Sequence, residues 1–203
     1  MYRIFIVEDN EPTRTRLIEE IQEAIHDADV TAAATVEEAE AKIGQTGDEE
    51  LPFDVAILDS QLPRAGILEI NTTLCEAVSR RMPSTFVIHF TAFGEDQVFR
   101  RHMGSVHPRS SFVRKEGHWD QEVIGKLVRN KVERQLEDVF LRGASTPAGR
   151  FRQGGGTFRL AALMSDIERY WNLLPEDTKH LVRRDFDVVE DGETVTVSLG
   201  GAR

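Results

Sequence analysis

The 203-residue chain has one cysteine, Cys75, two tryptophans and two tyrosines. A single cysteine excludes an intramolecular disulfide and any cysteine-only metal site, and it fits a reducing compartment. No apolar run approaches the roughly 18 residues of a membrane span. The apolar stretch near the start gives way to Glu8 and Asp9 where a signal peptide would keep its hydrophobic segment going. Positive charge is also short, with 25 Lys and Arg against 35 Asp and Glu, a formal net of −10. That balance argues against a general polyanion binder, although a local basic patch is compatible with it. With 40% hydrophobic and 30% charged residues, compositional disorder is excluded. The expectation is a cytoplasmic protein with one medium domain, or one of about 120 residues plus a smaller attachment.

The charge is unevenly spread. Residues 1–119 carry 12 basic and 21 acidic side chains, residues 120–142 carry 5 and 5, and residues 143–203 carry 8 and 9. The acidity therefore belongs to the first segment. A Gly/Pro/Ser/Thr-rich stretch over 143–157, with glycine at 154, 155 and 156, reads as a flexible linker before a small domain at 158–203. No internal repeat at solenoid periods is present.

Strands alternate with helices through residues 1–119. Apolar runs at 4–7, 53–58 and 85–90 suit strands buried on both faces, with weaker strands at 30–34 and 111–113. Pro12 opens a helix carrying Leu17, Ile18, Ile21 and Ile25 at helical spacing. A second helix is read over 36–43. Pro63 and Gly66 mark a loop, and a third helix runs through Ile70, Leu74 and Val78 before Pro83. A short fourth helix lies around Val98. Five alternations predict an α/β fold with a parallel sheet covered by helices on both faces, in which ligands sit outside the carboxyl ends of the strands.

Those strand ends deliver Glu8 and Asp9, then Asp59, Thr91 and Lys115. Three acids held together repel one another and raise each other's pKa unless something compensates. A hard cation with oxygen ligands answers this, and Mg²⁺ typically takes one or two carboxylates and keeps several waters. An ionised aspartate beside Mg²⁺ can attack phosphorus and form an aspartyl phosphate. The ammonium and the hydroxyl would engage the oxygens of the transferred group. Each feature has a plainer reading on its own: solvated acids, a helix cap at Thr91, a surface cation at Lys115. The ordered set, each member at a strand end, is far more specific than its parts.

Glu8-Asp9, the run from Ala56 to Asp59 with Leu62-Pro63 downstream, Phe90-Thr91-Ala92 and the run from Phe112 to Lys115 resemble the signature of response-regulator receiver domains. The resemblance covers residues 1–119 and a fifth helix beginning near Asp120. It implies a flavodoxin-like doubly wound sheet of order 2-1-3-4-5. It implies that Asp59 accepts phosphate from a histidine kinase, a phosphotransfer protein or a small phosphodonor. It also implies that Asp9 binds Mg²⁺ directly, Glu8 through water, and Gln61 through its backbone carbonyl. Thr91 would bond the phosphoryl group, Lys115 would pair with it, and Phe112 occupies the place of the family's aromatic switch. Signalling would run through the face of the fourth helix, fifth strand and fifth helix.

Three departures stand out. Gly66 lies seven residues after Asp59, where the family pattern has eight, so the intervening loop is one residue shorter. Glu116 follows Lys115 in place of the usual cis proline; a cis bond without proline costs about 3–4 kcal/mol, so that loop is expected to run differently. Between Thr91 and Lys115, Gly104, Pro108 and serines replace a tidy helix-to-strand turn.

Other conspicuous residues read as structural. Phe112 is equally a core aromatic. His102 and His107, lacking acids or cysteines at metal spacing, read as surface residues. Cys75 reads as a small packing residue. The glycines at 154–156 could cradle an anion at a helix start, but no lysine-serine or lysine-threonine pair follows them.

Past the fifth strand, Ile124, Leu127, Val128, Val132, Leu136, Val139 and Phe140 form one apolar stripe, which predicts an extended fifth helix over 120–142. A homodimer through this stripe and intramolecular cover by the last 60 or so residues are equal alternatives. Phe158 to Leu174 suggests an amphipathic helix, and Pro175 opens another through Leu181 and Val182. Asp191-Gly192 reads as a two-residue hairpin turn pairing Val188 with Val195 and Phe186 with Val197. This gathers Phe186, Val188, Val195, Val197 and Leu199 on one face.

The function expected is that of a phosphoacceptor regulator without enzymatic turnover, in which Mg²⁺-dependent phosphorylation of Asp59 switches protein contacts or dimerisation. Alternatives are a DNA-binding regulator with a winged-helix-like tail and a Mg²⁺-dependent phosphohydrolase.

Overall fold

The computed structural model describes residues 2–45, 53–64, 67–70, 72–82, 85–91, 101, 105–107, 109–115, 119–141 and 156–200. The chain divides into two compact units, Met1–Ile124 and Gly125–Arg203. No described helix is long and apolar enough to cross a membrane.

In the first unit, β1 (Tyr2–Val7), β2 (Ala28–Ala33), β3 (Val55–Asp59), β6 (Phe86–Thr91) and β7 (Ser110–Arg114) form one sheet of order β2-β1-β3-β6-β7. All four pairings are parallel. This is the expected doubly wound order 2-1-3-4-5. The continuous apolar runs of β1, β3 and β6 fit because these strands are covered on both faces: Phe5, Val55, Ile57 and Ile88 are all buried.

Helix α1 (Glu11–Ala24) begins where Asn10 caps it, its side chain accepting from the Thr13 amide at 2.9 Å, with Pro12 in the first turn. Its Leu17 and Ile21 are buried. Helices α2 (Val36–Gln45) and α3 (Thr72–Arg81) bury Ala39, Ile43, Leu74 and Val78 in the cluster that holds Phe5 and Val87. Cys75 lies in the same cluster, and burial pushes its thiol up to about 12, which disfavours the thiolate and fits a packing role.

Two expectations in this unit are corrected. Residues 61–70 are not a loop leading into a helix. They form an antiparallel pair, β4 (Gln61–Arg64) and β5 (Ile67–Ile70), with Gln61 opposite Ile70. Ile70 matches helical spacing to Leu74, but the helix begins only at Thr72, because a short apolar run carries strand and helix periodicity equally well. The second correction is His107, which is buried, not at the surface. Its neighbour Val106 packs against the core, and the Val106 carbonyl accepts from Ser79 Oγ at 3.0 Å, drawing this segment onto α3. Gly66, His102, Gly104, Pro108, Glu116 and the helix around Val98 lie outside the described residues.

Helix α4 (Trp119–Leu141), the fifth helix of the sequence reading, contributes its residues from Gly125 onward to the second unit. That unit also contains α5 (Gly156–Tyr170), a 3₁₀ turn (Trp171–Leu173), α6 (Glu176–Asp185) and the hairpin β8 (Phe186–Asp191)–β9 (Thr194–Leu199). The linker expected over 143–157 lies outside the described residues as far as 155, while Gly156 and Thr157 belong to α5.

Leu127, Val128 and Val132 are buried within the chain, as are Leu163, Ile167 and Trp171. Asp166 of α5 accepts from Gln135 at 2.7 Å and pairs with Lys131 at 3.3 Å, and Arg129 reaches Asp177 at 2.9 Å. The described part of the stripe is therefore covered from within the chain. The hairpin register also differs from expectation. Asp191 pairs with Thr194, Val188 with Val197 and Phe186 with Leu199, so the loop is Gly192-Glu193, with Gly192 at φ 61°. The shift keeps parity, so the anticipated apolar face survives.

Candidate functional site

Because the strands are parallel, their carboxyl ends share one edge. The Ser60 amide donates to the Phe90 carbonyl at 3.4 Å and the Lys115 amide to the Thr91 carbonyl at 3.2 Å. The sheet ladder thus fixes the backbone on either side of Asp59 and at Lys115. Glu8 is anchored in the same manner, its amide donating to the Ala33 carbonyl at 3.1 Å.

Glu8 and Asp59 are buried carboxylates; Asp9 between their loops is exposed. One oxygen from each of the three lies within 4.8 Å of the others. Lys115 Nζ bridges the two buried acids, 2.7 Å from Asp59 Oδ2 and 2.8 Å from Glu8 Oε2. The Gln61 amide donates to Asp59 Oδ1 at 3.0 Å and the Asn10 amide to Glu8 Oε1 at 3.3 Å.

One ammonium does not satisfy two buried acids with a third alongside. Burial lifts the carboxyl of Asp59 above the ordinary range against the pull of Gln61 and Lys115, and Asp9 adds to the rise. Burial likewise lifts Glu8, with Asp59 contributing. Lys115, although burial disfavours its charge, is held above its ordinary value by its bonds to Asp59 and Glu8. The donors are all hard oxygens, and Asp9 opens to water. That set fits a hydrated Mg²⁺, which uses few carboxylates and retains its waters.

The sequence-predicted residues thus fall as follows. Glu8, Asp9, Asp59 and Lys115 converge. Gln61 is adjacent through its backbone. Thr91 is buried at the end of β6, linked to Lys115 through the main chain. Phe112 is half-buried on β7 and stacks on His89, ring centroids 4.8 Å apart. Two neighbours were not foreseen. Arg14 Nη1 donates to the Glu8 carbonyl at 2.7 Å and the Asp9 carbonyl at 3.3 Å. The clue available was position: an arginine one helical turn past the cap Asn10. His89, a histidine inside the apolar run of β6, is the other.

No family model and no curated protein matches the chain. Solved structures do. A response regulator receiver domain protein from Clostridium thermocellum is 18% identical, with TM-score 0.52, covering 67% of this chain and 98% of that one. The non-phosphorylated HemR receiver domain from Leptospira biflexa is 25% identical, with TM-score 0.51, covering 64% and 94%. A CheY-like response regulator receiver domain protein from Methanospirillum hungatei is 22% identical, with TM-score 0.50, covering 66% and 98%. These likenesses show the receiver fold over about 65% of the chain, and the C-terminal part is not matched. The resemblance drawn from the motifs holds for that share.

Proposed function

We propose that this chain is a phosphoacceptor response regulator whose acceptor is Asp59. The observation that carries the reading is the convergence of Asp59, Glu8 and Asp9, one carboxylate oxygen of each within 4.8 Å of the others, with Lys115 Nζ 2.7 Å from Asp59. Glu8, Asp9, Asp59 and the Gln61 carbonyl would hold Mg²⁺, which supplies charge neutralisation for a transferring phosphoryl group.

An Asp59 oxygen forms a bond to phosphorus as the donor's bond to phosphorus breaks, the donor leaving with that electron pair. The donor is a phosphohistidine of a kinase or phosphotransfer protein, or a small acyl phosphate. Lys115 then exchanges its contact with the Asp59 carboxylate for a phosphoryl oxygen, and the Thr91 hydroxyl donates to another. These engagements favour one arrangement of the loops after β6 and β7, and Phe112 moves with them. Phosphorylation thereby shifts an existing equilibrium. The product is a retained acyl phosphate that alters protein contacts; residues 158–203 serve as an output or interaction domain in the cytoplasm. A DNA-binding output gains no support from α6, where Arg183 pairs with Glu190 and Arg184 with Asp185, each at 2.7 Å.

The test is incubation of the full chain with Mg²⁺ and acetyl phosphate, followed by intact mass. One retained phosphate per chain, absent without Mg²⁺ and in Asp59→Asn, is expected. Steady release of phosphate with no retained adduct would point to hydrolysis instead, and labelling of Asp59→Asn would remove Asp59 from its role.

A further inference from the structure

We infer that Arg14 is a positioning residue for the divalent-ion site: its guanidinium fixes the main chain of the Glu8-Asp9 loop and leaves the Asp9 carboxylate available to the ion. The inference rests on the reading of the three acids as a metal site.

Among the described residues two cations, Lys115 and Arg14, serve this acidic edge, and they bind differently. Lys115 contacts carboxylate oxygens of Glu8 and Asp59, the same atoms that an ion would approach. Arg14 contacts none. Its Nη1 is shared between two main-chain carbonyls, 2.7 Å to Glu8 and 3.3 Å to Asp9. Among the described residues the Asp9 carboxylate takes part in no hydrogen bond or ion pair, although a guanidinium is held one residue away along its own backbone. A side chain able to grip a carboxylate bidentately is thus committed to peptide oxygens.

The commitment follows from the start of α1. The Arg14 amide donates to the Asn10 carbonyl at 2.9 Å, and Asn10 Oδ1 accepts from the Thr13 amide at 2.9 Å and the Thr13 hydroxyl at 2.7 Å. This cap orients the first turn, and the half-buried Arg14 side chain folds back over the loop that precedes it. The loop is thereby held at Asn10 by the cap and at Glu8 and Asp9 by the guanidinium. A positive charge is placed beside three acids without using up an acidic oxygen. Groups that orient ligands in this way, without touching the ion, tune metal affinity.

The test is Mg²⁺ titration of the full chain by isothermal calorimetry, with circular dichroism melting of each apo variant to establish folding. Arg14→Gln removes charge and fork, and Arg14→Lys keeps the charge without the planar fork. Both are expected to raise the Mg²⁺ Kd about tenfold or more, as loss of orienting groups does elsewhere, with the apo protein still folded. Wild-type Kd in folded Arg14→Gln, or full recovery in Arg14→Lys, would overturn the positioning role. Asp9→Asn separates the two levels of the claim. If it leaves Mg²⁺ binding unchanged, the metal-site reading itself is wrong. If it abolishes binding while Arg14→Gln does not alter it, only the Arg14 inference fails.

Discussion

His89 and Phe112 stand opposite each other across β6 and β7, and their rings stack at a centroid distance of 4.8 Å. Burial in the sheet, reinforced by the neighbouring His107, pushes the His89 imidazole from 6.5 down to about 4. Burial lowers His107 too, with Arg109 contributing. Both are held neutral in the folded state. An unfolded histidine takes up its proton near 6.5, so between that value and about 4 the unfolded chain binds more protons. Stability therefore falls as pH falls through this window, by about 3 kcal/mol for His89 alone. Urea unfolding from neutral pH to about pH 4 measures it. His89→Phe keeps an aromatic ring on Phe112 and cannot titrate, so its profile should be flatter; parallel profiles would contradict the assignment.

Among the described residues Lys115 is the cation that pairs with both buried acids, and its removal should be felt in stability as well as in phosphoryl uptake. Lys115→Ala leaves Glu8 and Asp59 buried without their ammonium, a loss of about 1–3 kcal/mol near neutral pH. Burial already holds both carboxyls above their usual range, and without Lys115 they rise further. In the interval between unfolded and folded values the folded state then binds the extra protons, so the variant should recover stability as pH drops. Denaturant unfolding at neutral and mildly acidic pH checks the sign: a deficit that grows on acidification would contradict it.

Asp59→Asn should behave in the opposite sense. Ionised Asp59 is disfavoured by burial and by Asp9, so a neutral isostere relieves the folded state. In the absence of Mg²⁺ the variant is expected to melt at or above the wild-type temperature. With Mg²⁺ the order reverses. Saturation at a hundredfold excess over Kd stabilises the wild type by about 2.7 kcal/mol; chelation removes that gain, and the variant should gain little. Thermal melts with Mg²⁺ and with a chelator measure both effects. Equal Mg²⁺ stabilisation of the two proteins would exclude Asp59 from the ion's ligands.

The sheet and its acidic edge were legible because the two signals reinforce each other. Runs such as Val55 to Leu58 are too apolar for anything but a doubly covered strand, and each stops at a residue with chemistry. Where a run is short, the signal divides. Ile70 lies four residues before Leu74 and reads equally as helix, yet it pairs with Gln61. In the final hairpin, Asp191-Gly192 and Gly192-Glu193 both offer a two-residue loop containing the glycine; the chain uses the second, and parity spares the inward face. The burial of His107 depends on Ser79 bonding to Val106 across 27 residues, and Arg14 acts on peptide oxygens. Neither arrangement leaves a periodic trace.

Gly192 offers a test of the register itself. Its φ of 61° disfavours any residue with a Cβ, while nothing lies within 4 Å of where that atom would stand. Gly192→Ala is therefore expected to lose about 1–2 kcal/mol from backbone strain alone, and Gly192→Asn less, because asparagine tolerates this region. Thermal melting of the two variants reads the ordering; equal stability of glycine, asparagine and alanine at this position would mean that the turn lies elsewhere.

Asp166 holds the second unit together at its polar seam. It accepts from Gln135 at 2.7 Å and pairs with Lys131 at 3.3 Å, and all three side chains are largely withdrawn from water. Removing the shared acceptor forfeits a hydrogen bond to a carboxylate and an ion pair, at a cost of about 1–3 kcal/mol. The apolar residues Leu127, Val132 and Ile167 remain, so Asp166→Ala should weaken the attachment of α5 to the later turns of α4 without unfolding the first unit. Limited proteolysis reads this directly. Cleavage should accelerate within 156–203 while fragments of the receiver unit persist, and Asp166→Asn, which keeps an acceptor for Gln135 but not the charge for Lys131, should fall between. If Asp166→Ala left the cleavage pattern unchanged, the seam would contribute little, and apolar packing alone would hold the tail to the helix.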